Sequence, residues 1–351
     1  MFSCNDLALP ILGAPMAGGP TTPALVVAVS EAGGLGMLAG GYLTADEFAQ
    51  RIAEVQALTN APFGVNVFVP EATASDPAAV ASYREVLAPL ANTLNTSLPA
   101  VTDASDDDYL AKLDAIVDAK PALVSFAFGN PHAEVLQRMH RNGIATAVTV
   151  TSPEEALEAL ANEPTLLIVQ GASAGGHRSV HDQSREPNDL DAIDLLPQLM
   201  ALAAETDTEL VAAGGIDSPA AARTLLKSGA AAVQIGTLLL TATEAGTKPA
   251  HRAALLAASR DTVVTRAFSG RAARALRNTF IDRMDAHAPA AYPQVNALVA
   301  PIKAAAADDP ELQNLWAGTG YRACRARTTA AILAPFITEL TAAPDTEQDD
   351  R

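Results

Sequence analysis

The chain has 351 residues, 49% of them hydrophobic, which is ample for a large core. Its formal charge of -17 and pI near 4.6 argue against nucleic-acid and anionic-membrane partners, since both need basic patches, but leave room for a small anion held by a few local cations. Cys4 and Cys324 stand at opposite ends of the chain without metal spacing and fit a reducing cytosol. No apolar run is long enough to span a membrane, and the first residues lack a basic region followed by an apolar core. A cytoplasmic protein with no signal peptide, monomeric or homodimeric, is the expectation.

Short apolar runs alternate with longer helical patterns. Strands are predicted at 10–16, 34–39, 63–68, 123–128, 145–150, 166–170, 210–213 and 232–235. A helix is predicted over 22–32, stopped by Gly33 and Gly34. A second, over 44–58, opens on a capping box made by Thr44 and Glu47. Pro153 and Pro219 each follow a serine and mark two further helix starts. Strands of near-continuous hydrophobicity, each followed by a helix, predict a parallel (β/α)8 TIM barrel over residues 1–240; the runner-up is an open doubly wound sheet. Two stretches exceed a minimal barrel. Residues 70–118 carry two helical patterns joined by a Thr/Ser/Asp-rich segment. Residues 241–320 read as a small inserted helical subdomain that lies over the barrel mouth. A closing barrel helix is expected within 321–342 and a disordered tail at 343–351.

A TIM barrel places its chemistry at the C-terminal ends of its strands. Here those ends read Ala14-Pro15-Met16-Ala17-Gly18-Gly19, Gly40-Gly41-Tyr42, Asn66-Val67-Phe68, Phe128-Gly129-Asn130-Pro131-His132, Gln170 through Gly175 to His177, Gly214-Gly215-Ile216-Asp217 and Gln234-Ile235-Gly236-Thr237. The last two stand where barrels commonly bind phosphate, and they offer bare N–H groups and a hydroxyl without needing Lys or Arg. A phosphate site, the amides of Asn66 and Gln170 and the Pro15-Met16 backbone edge outline FMN, with Met16 packed on the flavin edge. The first strand has no GxGxxG after it, so a dinucleotide site is not supported.

These motifs, in this order, make the chain resemble the nitronate monooxygenase family, formerly called 2-nitropropane dioxygenases, in its bacterial class I-like branch. The resemblance continues through Gly33-Gly34-Leu35-Gly36, Phe63-Gly64-Val65-Asn66, Thr265-Arg266-Ala267-Phe268-Ser269-Gly270-Arg271, Tyr292-Pro293 and Leu315-Trp316-Ala317-Gly318. It departs at Ser173, where the glycine loop of the family carries Glu. The resemblance implies FMN held by Ala14, Pro15, Met16, Asn66, Gln170, Gly175, Gly214, Gly215, Gln234, Ile235, Gly236 and Thr237. It implies that His177 faces an alkyl nitronate, such as propionate 3-nitronate, which O2 oxidises to a carbonyl compound and nitrite. It also suggests that Tyr292 and Lys303 place a phenol and a cation near that substrate.

Other residues read in two ways. His132 is a second pocket histidine or a first-turn helix residue. Lys303 and Tyr292 are equally readable as a surface lysine and a half-buried ring. Arg266 and Arg271 suit structural ion pairs, Tyr83 suits a core, and Asp106-Asp107-Asp108 reads as a solvated helix cap rather than a metal site. Two other functions remain open at this level: an NAD(P)H-dependent flavin reductase acting on quinones or enoyl thioesters, and a flavin-binding protein without turnover.

Overall fold

In the computed structural model, residues 1–71, 75–101 and 105–341 are described; the expected tail and part of the Thr/Ser/Asp-rich segment lie outside them. Eight parallel strands close a barrel: β1 (Ile11–Gly13), β2 (Leu35–Ala39), β3 (Phe63–Phe68), β4 (Leu123–Ala127), β5 (Ala145–Val150), β6 (Leu166–Gln170), β8 (Glu209–Ala213) and β9 (Ala232–Ile235). Closure is direct, because β9 pairs with β1 in the register Leu12 opposite Gln234. The barrel predicted from the apolar runs is present, and its first strand is shorter than expected.

Helices separate the strands. Thr22 caps α1 (Pro23–Glu31), and the Thr44–Glu47 capping box opens α2 (Ala45–Leu58) as its sequence dictates. Around the barrel follow α4 (Tyr109–Ala119), α5 (Ala133–Arg141), α6 (Pro153–Leu160), α7 (Ala192–Ala203), α8 (Pro219–Lys227) and the closing α12 (Thr329–Thr341). Strand period two sorts the side chains. Leu12, Leu35, Met37, Leu123, Ala145, Ala147, Leu166, Ile168, Val211 and Ala232 form an apolar cluster. Continuing the same alternation upward gives Asn66, Ser125, Thr149, Gln170 and Gln234, all of which line the cavity at the barrel mouth. β3, β4, β5, β6 and β9 are thus apolar low down and polar at their C-terminal ends, while β1, β2 and β8 continue to Ala14, Ala39 and Ala213.

The segment after β9 differs from the helical expectation. It contains α9 (Pro249–Ala257), α10 (Thr279–Met284) and α11 (Gln294–Ala305), but also β10 (Thr262–Thr265) and β11 (Ala273–Leu276). These two strands pair antiparallel with each other, and β11 pairs with β7 (Gly176–His177), a short strand of the glycine loop. The run Thr262-Val263-Val264-Thr265 is β-branched throughout and suits a strand; its alanine-rich surroundings hide that signal. The α3 helix (Pro77–Thr93) belongs with this region too. Its Val80, Tyr83 and Leu87 share a second core with Phe268, Phe280, Leu298 and Ile302. Tyr83 is a core residue whose hydroxyl donates to the Ala267 carbonyl at 2.7 Å.

The acidic run precedes α4 with the exposed Asp108 as its N-cap residue, as expected, and it also makes long-range contacts. Asp107 accepts from the Tyr42 N–H at 3.0 Å and pairs with the buried Lys112 ammonium at 2.7 Å, while Asp108 accepts from the Ala45 N–H at 3.1 Å. The run therefore ties the end of β2 to α4.

Candidate active site

A cavity of about 450 Å³ opens at the C-terminal end of the barrel, a size suited to a cofactor with a small substrate. One end is a backbone cradle. Gly214 and Gly215 have φ of 101° and 72°, a region that L side chains rarely adopt. A Cβ on Gly175 would lie 2.4 Å from the Gly318 nitrogen, so the glycine loop can sit against residues 317–318 only without a side chain there. The Thr237 hydroxyl accepts from the Gly318 N–H at 3.0 Å, which leaves its own proton to donate. The Nε2 of Gln234 is buried and has no partner among the described residues; a buried amide donor of that kind calls for a ligand acceptor. Bare N–H groups, a free hydroxyl proton and an orphaned amide together fit a phosphate with a polar tail.

The floor is polar. Asn66 Nδ2 donates to the Ser125 carbonyl at 3.1 Å and to its hydroxyl at 3.0 Å, which fixes the amide and leaves its oxygen as an acceptor. Both ends of the Gln170 amide are used within the protein: Nε2 donates to the His177 carbonyl and Oε1 accepts from the Ser179 N–H. Gln170 lines the cavity, but its direct work is to hold the loop that carries His177.

His177 is set by the added sheet. Its Cα registers with Ala273 of β11, and its Nε2 lies 2.8 Å from Ser269 Oγ. That hydroxyl is also 3.2 Å from the Arg271 carbonyl. The network closes if Ser269 donates to that carbonyl and accepts from Nε2–H, which leaves Nδ1 as the nitrogen with a lone pair. Burial first, then the charges of Arg271 and Lys303, lower the imidazole to about 3. The ring is therefore neutral near pH 7. Rings of Phe128, Tyr292 and Trp316 surround it, with centroids 5.4, 5.8 and 5.3 Å away. Tyr42 and Phe68 extend this wall. Tyr42 and Phe128 hold φ of 68° and 74°, a strained setting for bulky residues that concentrates at functional sites. Behind the wall, the Arg271 guanidinium lies 4.3 Å from the Phe128 centroid and is paired with Glu71. Arg266 pairs with Glu186 at 2.8 Å, so both arginines make the ion pairs their sequence setting suggests.

The lining is also cationic. Lys303 on α11 and the exposed Lys248 both line the cavity. Burial and the neighbouring Lys248 lower the Lys303 ammonium to about 8. His251 of α9 lines the same side and donates from Nε2 to the Trp316 carbonyl at 2.9 Å.

The cavity thus gathers Ala14, Pro15, Met16, Asn66, Gln170, Gly175, His177, Gly214, Gly215, Gln234, Gly236, Thr237 and Lys303. Buried Tyr292 joins them through its ring contact with His177. Two expected residues stand apart. Ile235 points its side chain into the core between barrel and helices, because it follows Gln234 by one residue and faces the other way. His132 is the exposed N-cap residue of α5 and does not line the cavity; the second cavity imidazole is His251, which sits in an alanine-rich helix without a motif. Tyr42, Phe68 and Phe128 were readable as strand-end residues. Ser269 was legible only as part of the 265–271 stretch, with no role attached, and Lys248 carries no local signal; the pairing of β7 with β11 and the packing of α9 bring them in.

The family model described as nitronate monooxygenase matches residues 4–341. The chain belongs to the nitronate monooxygenase family. It is therefore an oxidoreductase of a flavin-dependent family. A probable nitronate monooxygenase of Bacillus subtilis is 35% identical over 323 residues, covering 90% of this chain and 91% of that protein. Another, from Staphylococcus aureus, is 32% identical over 341 residues, with 94% of each chain covered. Among solved structures, a nitroalkane oxidase from Streptomyces ansochromogenes superposes with a TM-score of 0.90 at 40% identity, covering 96% of this chain and 97% of that one. FabK from Thermotoga maritima shares the fold, with a TM-score of 0.73 at 24% identity over 95% and 93% of the two chains.

Proposed function

We propose that this nitronate monooxygenase family member binds FMN and uses O2 to oxidise small alkyl nitronates, propionate 3-nitronate among them, to a carbonyl compound and nitrite. The observation that carries the reading is the pairing of a neutral His177, held by Ser269 inside an aromatic wall, with a cationic rim at Lys303 and Lys248 in one cavity. Gly214, Gly215, Gly236, Thr237 and Gln234 would hold the phosphate end of FMN, and Asn66 and the Ala14-Pro15-Met16 edge its ring. FMN, when bound, supplies the electron chemistry that no side chain here provides.

The protein's own work is threefold. The lysines attract and orient the nitronate anion. The aromatic wall keeps water from the reacting carbon. Nδ1 of His177, with its lone pair, takes the α-proton where a neutral nitroalkane is the substrate. Anaerobic mixing of the FMN-loaded protein with propionate 3-nitronate, and separately with NADH, tests the reading. Nitronate-dependent loss of the oxidised flavin spectrum is expected. Rapid bleaching by NADH without a response to nitronate would favour the reductase, and no response to either would favour a flavin-binding protein without turnover.

A further inference from the structure

We propose that Lys303 is a nucleophilic amine that captures small aldehydes and ketones as a reversible imine, so that the cavity covalently holds the carbonyl compound it releases. This rests on the reading that a carbonyl product forms in this cavity.

The geometry separates Lys303 from the other lysines. The chain has Lys112, Lys120, Lys227, Lys248 and Lys303. Lys112 is wholly buried and ion-paired with Asp107. Among the described residues the Lys303 ammonium has no carboxylate in salt-bridge range, and its hydrogen bond is a long 3.5 Å contact to Asn296 Oδ1. It lines the cavity that holds His177, and its charge is felt by that imidazole. The helix beneath it is anchored by the buried Val295, Leu298, Val299 and Ile302, so the amine is presented from a fixed base. A lysine withdrawn from water beside a second ammonium is the arrangement that activates amines toward carbonyl compounds. Burial and Lys248 act in that direction on Lys303, lowering it to about 8. At pH 8 it then carries roughly a hundredfold more free base than an ordinary lysine.

The step balances without an oxidant. The Nζ lone pair adds to the carbonyl carbon, and the carbonyl oxygen takes up a proton to give a carbinolamine. Loss of water breaks the C–O bond and leaves the imine. Water reverses both steps. Product capture would therefore appear as inhibition by added aldehyde.

The test uses FMN-loaded protein with propanal and cyanoborohydride at pH 8, followed by peptide mass mapping. Cyanoborohydride delivers hydride to the imine carbon and fixes a propyl group on the amine. Propylation of Lys303 is expected at least about tenfold faster than at Lys120 or Lys227. The Lys303→Arg protein should keep its flavin and lose that label. Equal labelling of all accessible amines, or preference for Lys248, overturns the proposal. A second arm replaces propanal with nitronate under air. Oxygen uptake with no label at Lys303 overturns capture of the product. Propanal labelling with no nitronate-dependent oxygen uptake leaves the amine in place and removes the proposed function instead.

Discussion

Two side chains acting through one another define the proposed reacting corner. Ser269 lies 2.8 Å from His177 Nε2 and fixes which nitrogen is free. The His177→Asn protein is expected to keep its flavin and lose roughly a hundredfold to a thousandfold in turnover, the usual cost of removing one preorganised contact. Ser269→Ala should lose about tenfold to a hundredfold, as an angstrom-scale misplacement does, and Ser269→Thr should recover most of it. Steady-state oxygen uptake reads all three, and unchanged kcat/KM in His177→Asn would move the role to another group. The pH profile separates the two ionising groups. With His177 lowered to about 3, the free base is present throughout neutral pH, so nitroalkane kcat/KM should show no acid limb between pH 5 and 7. Lys303, lowered to about 8, is protonated below that pH and neutral above it. The kcat/KM for an anionic nitronate should therefore fall as pH rises through about 8, a limb that Lys303→Arg moves to higher pH.

Elements rather than single residues build the proposed anion cradle. The ends of β8 and β9 and the glycine loop meet with almost no side chains between them. Gly215 has φ of 72°, and a Cβ there would sit 3.2 Å from Ser173 Cβ. Gly215→Val should empty the cradle through both space and backbone strain. Flavin absorbance per chain after purification checks this, with circular dichroism showing the barrel still folded; full flavin occupancy would place the phosphate elsewhere. Ser173 fits the same picture. Its N–H donates to Asp191 and its carbonyl accepts from Thr319, so its backbone braces the loop whatever the side chain. The short β7 matters for a different reason. Its pairing to β11 adds to the Gln170 bond in orienting the loop that carries His177.

At the scale of the molecule there are two kinds of core. The barrel holds its own, and a second cluster joins α3 to the segment between β9 and α12. Phe268 and Phe280 stack in that second cluster with centroids 4.5 Å apart. Phe280→Ala should cost roughly 3–5 kcal/mol there, seen as a lower urea midpoint. Because Ser269 and Trp316 hang from the same cluster, oxygen uptake should fall at denaturant concentrations below those that unfold the barrel. Coincident loss of activity and barrel signal would mean that the two cores unfold as one.

The sequence by itself determined the barrel, its strand ends and most of the cradle. Those features are local: strand burial, capping boxes and glycines at turns act within a few residues, and period two then fixes which side chains face the mouth. It also supplied His177, because the residue lies on the same short loop as Gly175. Only the tertiary structure decided what surrounds that imidazole. His251, Lys248 and Trp316 reach the cavity, and Ser269 the His177 ring, across 71 to 139 positions of chain from His177, through strand pairing and helix packing that have no local period. The same long-range packing decided that His132 faces solvent and that His177 is neutral, since burial and the charges of Arg271 and Lys303 exist only once the chain is folded.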